Sequence, residues 1–212
     1  MADISLRQYH RELDNLVDHE ALEEVIGHCR HILQYYPKNV DTYRYLGKAL
    51  LAKSRYAEAG DVFLRILSAA PDDLYAHAGM SEVYKDRRDW PRAIWHMERA
   101  FEQQPNNPAI QSGLRELYSR YQEGDYSKLQ LTRGALARRY VQSGLYEKAV
   151  IELQHALAAH PQRYDLRLLL AEALWESSHP VEAAEVAAEV VKGLPYCLGA
   201  NRILAELWLQ HN

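Results

Sequence analysis

An all-α fold, a right-handed solenoid of antiparallel helix hairpins, is predicted by three features of this sequence. A proline followed by a polar residue, a common helix stop, recurs at Pro37, Pro71, Pro105, Pro161 and Pro195, at intervals of 34, 34, 56 and 34 residues. Between the stops, apolar residues fall on helical stripes. Small residues recur at matched places in the two stripes of each unit, as two closely packed antiparallel backbones require. A period of this length marks a stacked repeat, each hairpin burying its apolar face against the next.

The first unit is degenerate. Tyr9, Leu13 and Leu16 form one stripe and Val25, Cys29 and Ile32 the other, but Glu12 and Val25 depart from the pattern; terminal repeats are often atypical because one face meets water. In the second unit Tyr43, Leu46, Gly47 and Leu50 precede the turn "SRY" at 54, and Ala59, Phe63 and Ile66 follow it. The third reads His77, Met80, Ser81 and Tyr84, then "RDW" at 88, then Ala93, Met97 and Ala100. After Pro105 comes a first helix with Leu114 and Tyr118 inward. The next units read Arg133, Leu136, Ala137 and Tyr140 before "GLY" at 144 and Ala149, Leu153 and Ala156, and Arg167, Leu170, Ala171 and Leu174 before "SHP" at 178 and Ala183, Ala187 and Val190. Pro91 and Pro180 fall in the first turn of a second helix, where a missing N–H costs nothing. Gly47 is expected to face Ala59, Ser81 to face Ala93, Ala137 to face Ala149 and Ala171 to face Ala183. A closing helix, roughly 197–210, is expected to turn Leu204, Ala205 and Trp208 inward.

The interval of 56 exceeds one period by 22 residues. Within it, "GDYSK" looks like the turn that opens a second helix, yet the chain slides into the first-helix pattern of the next unit. Either residues 127–142 form one helix serving both roles, or the array divides. Division is the expectation: an N-terminal array over 1–122, three repeats plus a closing helix, and a C-terminal array over 123–212, two repeats plus a closing helix.

The stretch "YRYLGKALLAKSRYAEAGDVFLRILSAAPDD", the unit after it through Pro105, and "LARRYVQSGLYEKAVIELQHALAAHP" resemble the tetratricopeptide repeat family. The resemblance covers nearly the whole chain. It implies a protein-interaction scaffold that takes a peptide or helix of a partner on a concave face lined by first helices, with no catalysis and no cofactor. The alternative is a structural self-assembly module.

Composition agrees with a globular protein: 48% apolar and 25% charged residues. The net charge of −4 gives no global pull toward nucleic acid or an anionic membrane, so neither is an expected partner. The start "MADISLRQYHRELD" lacks an apolar signal core, and no run approaches a membrane span. The two cysteines, Cys29 and Cys197, make no disulfide framework. A cytoplasmic, reducing location fits these features.

No phosphate loop, dinucleotide fingerprint, nucleophile elbow or H-E-x-x-H motif is present. The strongest metal-like constellation is "HCRH", but Cys29 falls on the inward stripe while His28 and His31 fall outward, so no metal site is expected. Arg133, Arg138 and Arg139 suggest either an anion site or a solvated face near a helix C-terminus, where cations are favoured. No catalytic residues are assigned.

The resemblance places the expected partner groove on Arg11, Arg44, Tyr45, Lys48, Tyr75, Ala78, Gly79, Glu82, Ser112, Gly113, Glu116 and Arg138. The family's chaperone-tail clamp is not carried over: Lys48 and Arg44 exist, but its asparagines do not. Nor is the asparagine ladder, whose positions hold Arg11, Tyr45, Gly79, Gly113, Ala135 and Leu169. The small pairs Ala78–Gly79, Ser112–Gly113 and Gly134–Ala135 read either as a trough for another backbone or as tight superhelical packing. The ligand is expected to be mixed in charge, acidic toward Arg44 and Lys48 and basic toward Glu82 and Glu116. Ile203 and Leu207 lie off the expected inward stripe of the last helix. That suggests a fragment of a longer protein or a homodimer contact through this helix.

Overall fold

The computed structural model describes residues 6–121 and 129–211. They form helices and turns: α1 (Leu6–Asp18), α2 (Leu22–Tyr35), α3 (Val40–Ala52), α4 (Tyr56–Ala69), α5 (Leu74–Asp86), α6 (Trp90–Gln103), α7 (Pro108–Tyr121), α8 (Arg133–Gln142), α9 (Tyr146–Ala159), α10 (Tyr164–Glu176), α11 (Pro180–Gly193) and α12 (Leu198–His211). Successive helices pack on one another as an all-α solenoid of hairpins. The expected boundary at 122/123 and the turn "GDYSK" lie outside the described residues. A helix spanning 127–142 is not what forms: α8 begins at Arg133, with Thr132 capping it through Ala135 N–H at 3.1 Å.

The period is written in backbone chemistry as well as in side chains. Inside each hairpin one residue turns left-handed: Glu20 (φ 56°), Ser54 (57°), Arg88 (56°), Gly144 (70°) and Ser178 (66°). The next residue donates back across the turn, Ala21 to Leu16, Arg55 to Leu50, Asp89 to Tyr84, Leu145 to Tyr140 and His179 to Leu174, each at 2.9 Å. This six-to-one bond satisfies a carbonyl that the helix end would leave orphaned.

Between hairpins, the proline ends one helix and the residue two places on often starts the next. Asn39, Asp73 and Asn107 accept from the N–H of Thr42 (2.8 Å), Ala76 (2.8 Å) and Ala109 (3.0 Å), as N-cap residues do. Six residues after every repeat proline stands a side chain that donates to the proline carbonyl: Tyr43 (3.2 Å), His77 (3.0 Å), Gln111 (2.7 Å), Arg167 (2.8 Å) and Asn201 (3.0 Å). Four residue types beyond tyrosine do the same task, so what repeats is a hydrogen-bond donor and not an amino acid.

Buried apolar residues fall in three groups among the described residues. One joins α1 to α5 around Leu13, Ile26, Leu50, Phe63 and Met80. A second joins α6 and α7 around Met97, Phe101 and Leu114. The third fills α8 to α12 around Leu153, Leu166, Leu170 and Ile203. Ser81 does meet Ala93, donating to its carbonyl at 2.8 Å. At Gly47 a Cβ would meet the Phe63 ring at 2.5 Å, so Phe63, one turn beyond Ala59, fills the space beside it. In α12 the buried residues are Ala200 and Ile203, with Cys197 just before the helix. Ala205 and Trp208 are exposed. Leu204, of the expected stripe, is half-buried against the α8–α12 group. Cys29 and Cys197 are both buried, and burial pushes the Cys29 thiol up to about 12.

His77 on α5 and His96 on α6 form a buried pair, Nδ1 to Nδ1 at 2.9 Å. The Pro71 carbonyl can only accept, so His77 carries its proton on Nε2 and accepts from His96 at Nδ1. Burial, with the neighbouring His77 and Arg99, lowers His96 to about 3, and burial lowers His77 also. The unfolded chain therefore takes up protons below about 6.5 while the folded chain does not, and stability falls with pH from there downward. Between pH 6.5 and 5 the loss is about 2 kcal/mol from His96 alone. Urea titrations at the two pH values should show it, and His96→Gln should shrink it; an equal loss in that variant would place the acid sensitivity elsewhere.

Candidate functional site

α1, α3 and α5 run side by side and bring their exposed faces together around a cleft of about 360 Å³. It unites four of the residues expected in the groove, Arg44, Tyr45, Lys48 and Tyr75, with His10, Asp14 and Asp41. The geometry ranks their availability. Arg44 Nε donates to Asp73 at 2.7 Å and Nη1 to Asp41 at 2.5 Å. Partial burial opposes its charge, but Asp73 and Asp41 more than offset this and hold the guanidinium protonated. The Tyr45 hydroxyl donates to Asp14 at 2.6 Å. Burial first, then that bond to Asp14, raises the phenol well above its ordinary range. His10 is bonded to Thr42 Oγ1 at 3.0 Å. Lys48 is exposed, and its Nζ lies 5.8 Å from the centroid of Tyr75, itself half exposed. Among the lining residues, Lys48 is the cation left without a carboxylate.

The other expected groove residues are placed differently. Arg11 is exposed on α1. Ser112 is exposed and Ala78 half-buried. Glu82 pairs with Lys85, and Glu116 with Arg120, each at 3.0 Å within its own helix, so neither offers a bare carboxylate. The small residues form no open trough: a Cβ on Gly79 would meet the Phe63 ring at 2.3 Å, one on Gly113 Met97 Cε at 3.2 Å, and one on Gly134 Glu102 Oε2 at 2.7 Å. Tight internal packing is the reading the contacts support.

Arg138 is also not on an open face. It is 5% exposed and belongs to a buried ionic joint between α5–α6 and α8–α10. At its centre Glu102, 2% exposed, accepts from Arg163 Nη2 at 2.5 Å, Arg99 Nη2 at 3.2 Å and Thr132 Oγ1 at 2.7 Å. Asp165 accepts from Arg163 Nε at 2.7 Å and Nη2 at 2.6 Å. Burial alone would raise both carboxyls; Arg163 and Arg138 outweigh it and hold Asp165 at about 2, and Arg99 and Arg163 lower Glu102. Sequence reasoning assigned no role to Arg99, Glu102, Arg163 or Asp165. One signal was present: Arg163 stands two places after Pro161, where Asn39, Asp73 and Asn107 are caps, and makes no cap bond itself.

Residues 16–83 match one tetratricopeptide repeat profile and residues 135–196 match another. The chain belongs to the tetratricopeptide repeat family. Such arrays are protein-interaction scaffolds, each repeat contacting its neighbours and leaving an extended surface for a partner. Among solved structures, this tetratricopeptide repeat chain is similar to a MamA protein, with 14% identity over 87% of this chain and 88% of that one and a TM-score of 0.47. It is similar to YrrB, described as a TPR protein with an unusual peptide-binding site, with 15% identity over 93% and 91% of the two chains and a TM-score of 0.48. A tetratricopeptide repeat protein from Parabacteroides merdae is 13% identical over 88% and 78%, with a TM-score of 0.46. No curated protein matches the sequence. Among the described residues no helix is long and apolar enough to cross a membrane.

Proposed function

We propose that the protein is a scaffold without chemistry of its own, holding an acidic segment of a partner protein in the cleft of α1, α3 and α5. The observation that carries this reading is Lys48 beside the half-exposed Tyr75, a cation and an aromatic surface left unused while Arg44, Asp41, Asp14 and Tyr45 satisfy one another. An acidic side chain reaching Lys48 would also lie against the Tyr75 ring. The pairing of Glu82 and Glu116 within their helices favours an acidic ligand over one of mixed charge.

Short random peptides displayed and selected on the intact chain test it. Aromatic anchors carry much interface energy, about 2 kcal/mol or more on truncation, so Tyr75→Ala should weaken a selected peptide about 30-fold. Lys48→Glu should weaken acidic peptides comparably, and Leu64→Ala, on the outer side of α4, should not. Selected peptides that bind all three variants as they bind the parent dock elsewhere. Self-assembly is the second reading, favoured by the exposure of Leu198, Trp208 and Leu209 on α12; a light-scattering mass that rises with concentration in the same samples would favour it.

A further inference from the structure

A second recess, of about 490 Å³, lies between the turn joining α6 to α7 and one face of α8. It opens where the repeat period breaks, away from the cleft. Its size falls in the range of about 300–1,000 Å³ typical of small-ligand sites, and most of its lining residues are polar or charged. The turn contributes Gln104, Asn106 and Asn107, and α8 contributes Arg138, Arg139 and Gln142.

Two features of that wall call for an acceptor. Arg139 is exposed and enters no ion pair among the described residues. Arg138 is buried, its contacts to Asp72 and Asp165 are both long at 3.4 Å, and its Nε has no hydrogen-bond partner. Buried donors are nearly always satisfied, by protein, water or a bound group. An acceptor entering from the recess would give Arg139 a counter-charge and the weakly held Arg138 a better partner.

We infer that this recess binds a single carboxylate, held by Arg139 with Arg138 behind it and by the amides of Asn106 and Gln142. Charge selects a monoanion. In the joint three arginines, Arg99, Arg138 and Arg163, face four carboxylates, Glu98, Glu102, Asp165 and Asp72, so Arg139 is the one cation of the wall outside an ion pair among the described residues and a second negative charge on the ligand is disfavoured. Glu102 is itself part of the wall and repels a dianionic phosphate. The planar guanidinium fork matches the two oxygens of a carboxylate. Amide side chains both donate and accept, so they suit the backbone beside an acidic residue as well as a free acid.

The test is an NMR titration of the isotope-labelled full chain, following Arg139 Nε–H and the side-chain amides of Asn106 and Gln142. Three probes are added separately: acetate, a short N-acetylated and C-amidated peptide with one glutamate, and inorganic phosphate. Saturable shifts of these signals with a carboxylate probe are expected, weakened at least 10-fold by Arg139→Gln. The source then follows: a peptide that binds at least 10-fold tighter than acetate assigns an acidic protein segment, and equal affinity assigns a free acid. Arg138→Gln can loosen the joint, so the exposed Arg139 carries the test. No saturable shift with either carboxylate, shifts that survive Arg139→Gln, or tighter binding of phosphate would each overturn the inference.

Discussion

Glu102→Ala is expected to lower the unfolding free energy by about 3–5 kcal/mol, the range for removing one partner of a buried ion pair. The size follows from what is left behind. Arg163 keeps Asp165, but Arg99 keeps one carboxylate contact, Glu98 at 3.3 Å, beside its place over the Trp95 ring, and the Thr132 hydroxyl loses its acceptor. All of these groups are removed from bulk water or nearly so, and an uncompensated buried cation is costly. The joint ties the end of α6 to the starts of α8 and α10, so the loss should be felt between the two halves of the chain. Urea unfolding followed at Trp90 and Trp95 should then run ahead of or behind that followed at Trp175, whereas one shared transition is expected of the parent. Glu102→Gln, which keeps an acceptor for Thr132, should cost less. Replacing Glu102 and Arg163 together by methionine should not recover the loss, since buried Asp165 then keeps only the 3.4 Å contact to Arg138. A change below about 1 kcal/mol for Glu102→Ala would mean that the joint is not what holds the halves together.

The fold was legible because its punctuation is local chemistry. A proline stops a helix whatever surrounds it, and Asn39, Asp73 and Asn107 cap the next one with their own side chains. The stripes of the inner units were legible for the same reason: each meets a neighbour on both sides, so period alone fixes which residues are buried. That logic fails at α12. Leu204, Ala205 and Trp208 repeat the positions of Leu170, Ala171 and Leu174, yet of the three only Leu204 packs on the core, and Ala200 and Ile203 take the fully buried places. Part of the cleft was also legible, because Arg44, Tyr45, Lys48 and Tyr75 lie on first helices one repeat apart. How those side chains are committed was not. Arg44 is spent on Asp73 and Tyr45 on Asp14, 29 and 31 residues away. The joint was less legible still: Glu102 meets Arg163 across 61 residues and Asp72 meets Arg138 across 66, and the period is broken between the members of each pair.

Gly79 shows how a residue with an open functional reading acquires a structural one, and it carries the second large effect. The Phe63 ring of α4, 1% exposed, is wedged between Gly47 of α3 and Gly79 of α5. A Cβ at Gly79 would sit 2.3 Å from two ring carbons, and the ring cannot swing away because a Cβ-sized space at Gly47 is already filled by it at 2.5 Å. Two terms oppose each other in Gly79→Ala. Helix propensity favours alanine by about 1 kcal/mol; overpacking costs about 1–3 kcal/mol. The clash is with the body of a ring pinned on both sides, not the tip of a flexible chain, so overpacking wins and Gly79→Ala should destabilise. Gly79→Leu should reach the top of that range, about 3 kcal/mol. Gly27 supplies the control: it is exposed on α2 with nothing within 4 Å of a Cβ, so Gly27→Ala should gain up to about 1 kcal/mol from propensity alone. Phe63→Leu separates the clash from a general intolerance at position 79. It should destabilise the parent, yet cost markedly less, or nothing, in the Gly79→Ala background, because the smaller side chain frees the space the new methyl needs. Urea midpoints for the four chains of that cycle decide the matter. Additive effects, or a Gly79→Ala midpoint at or above that of the parent, would show that the ring is free to move.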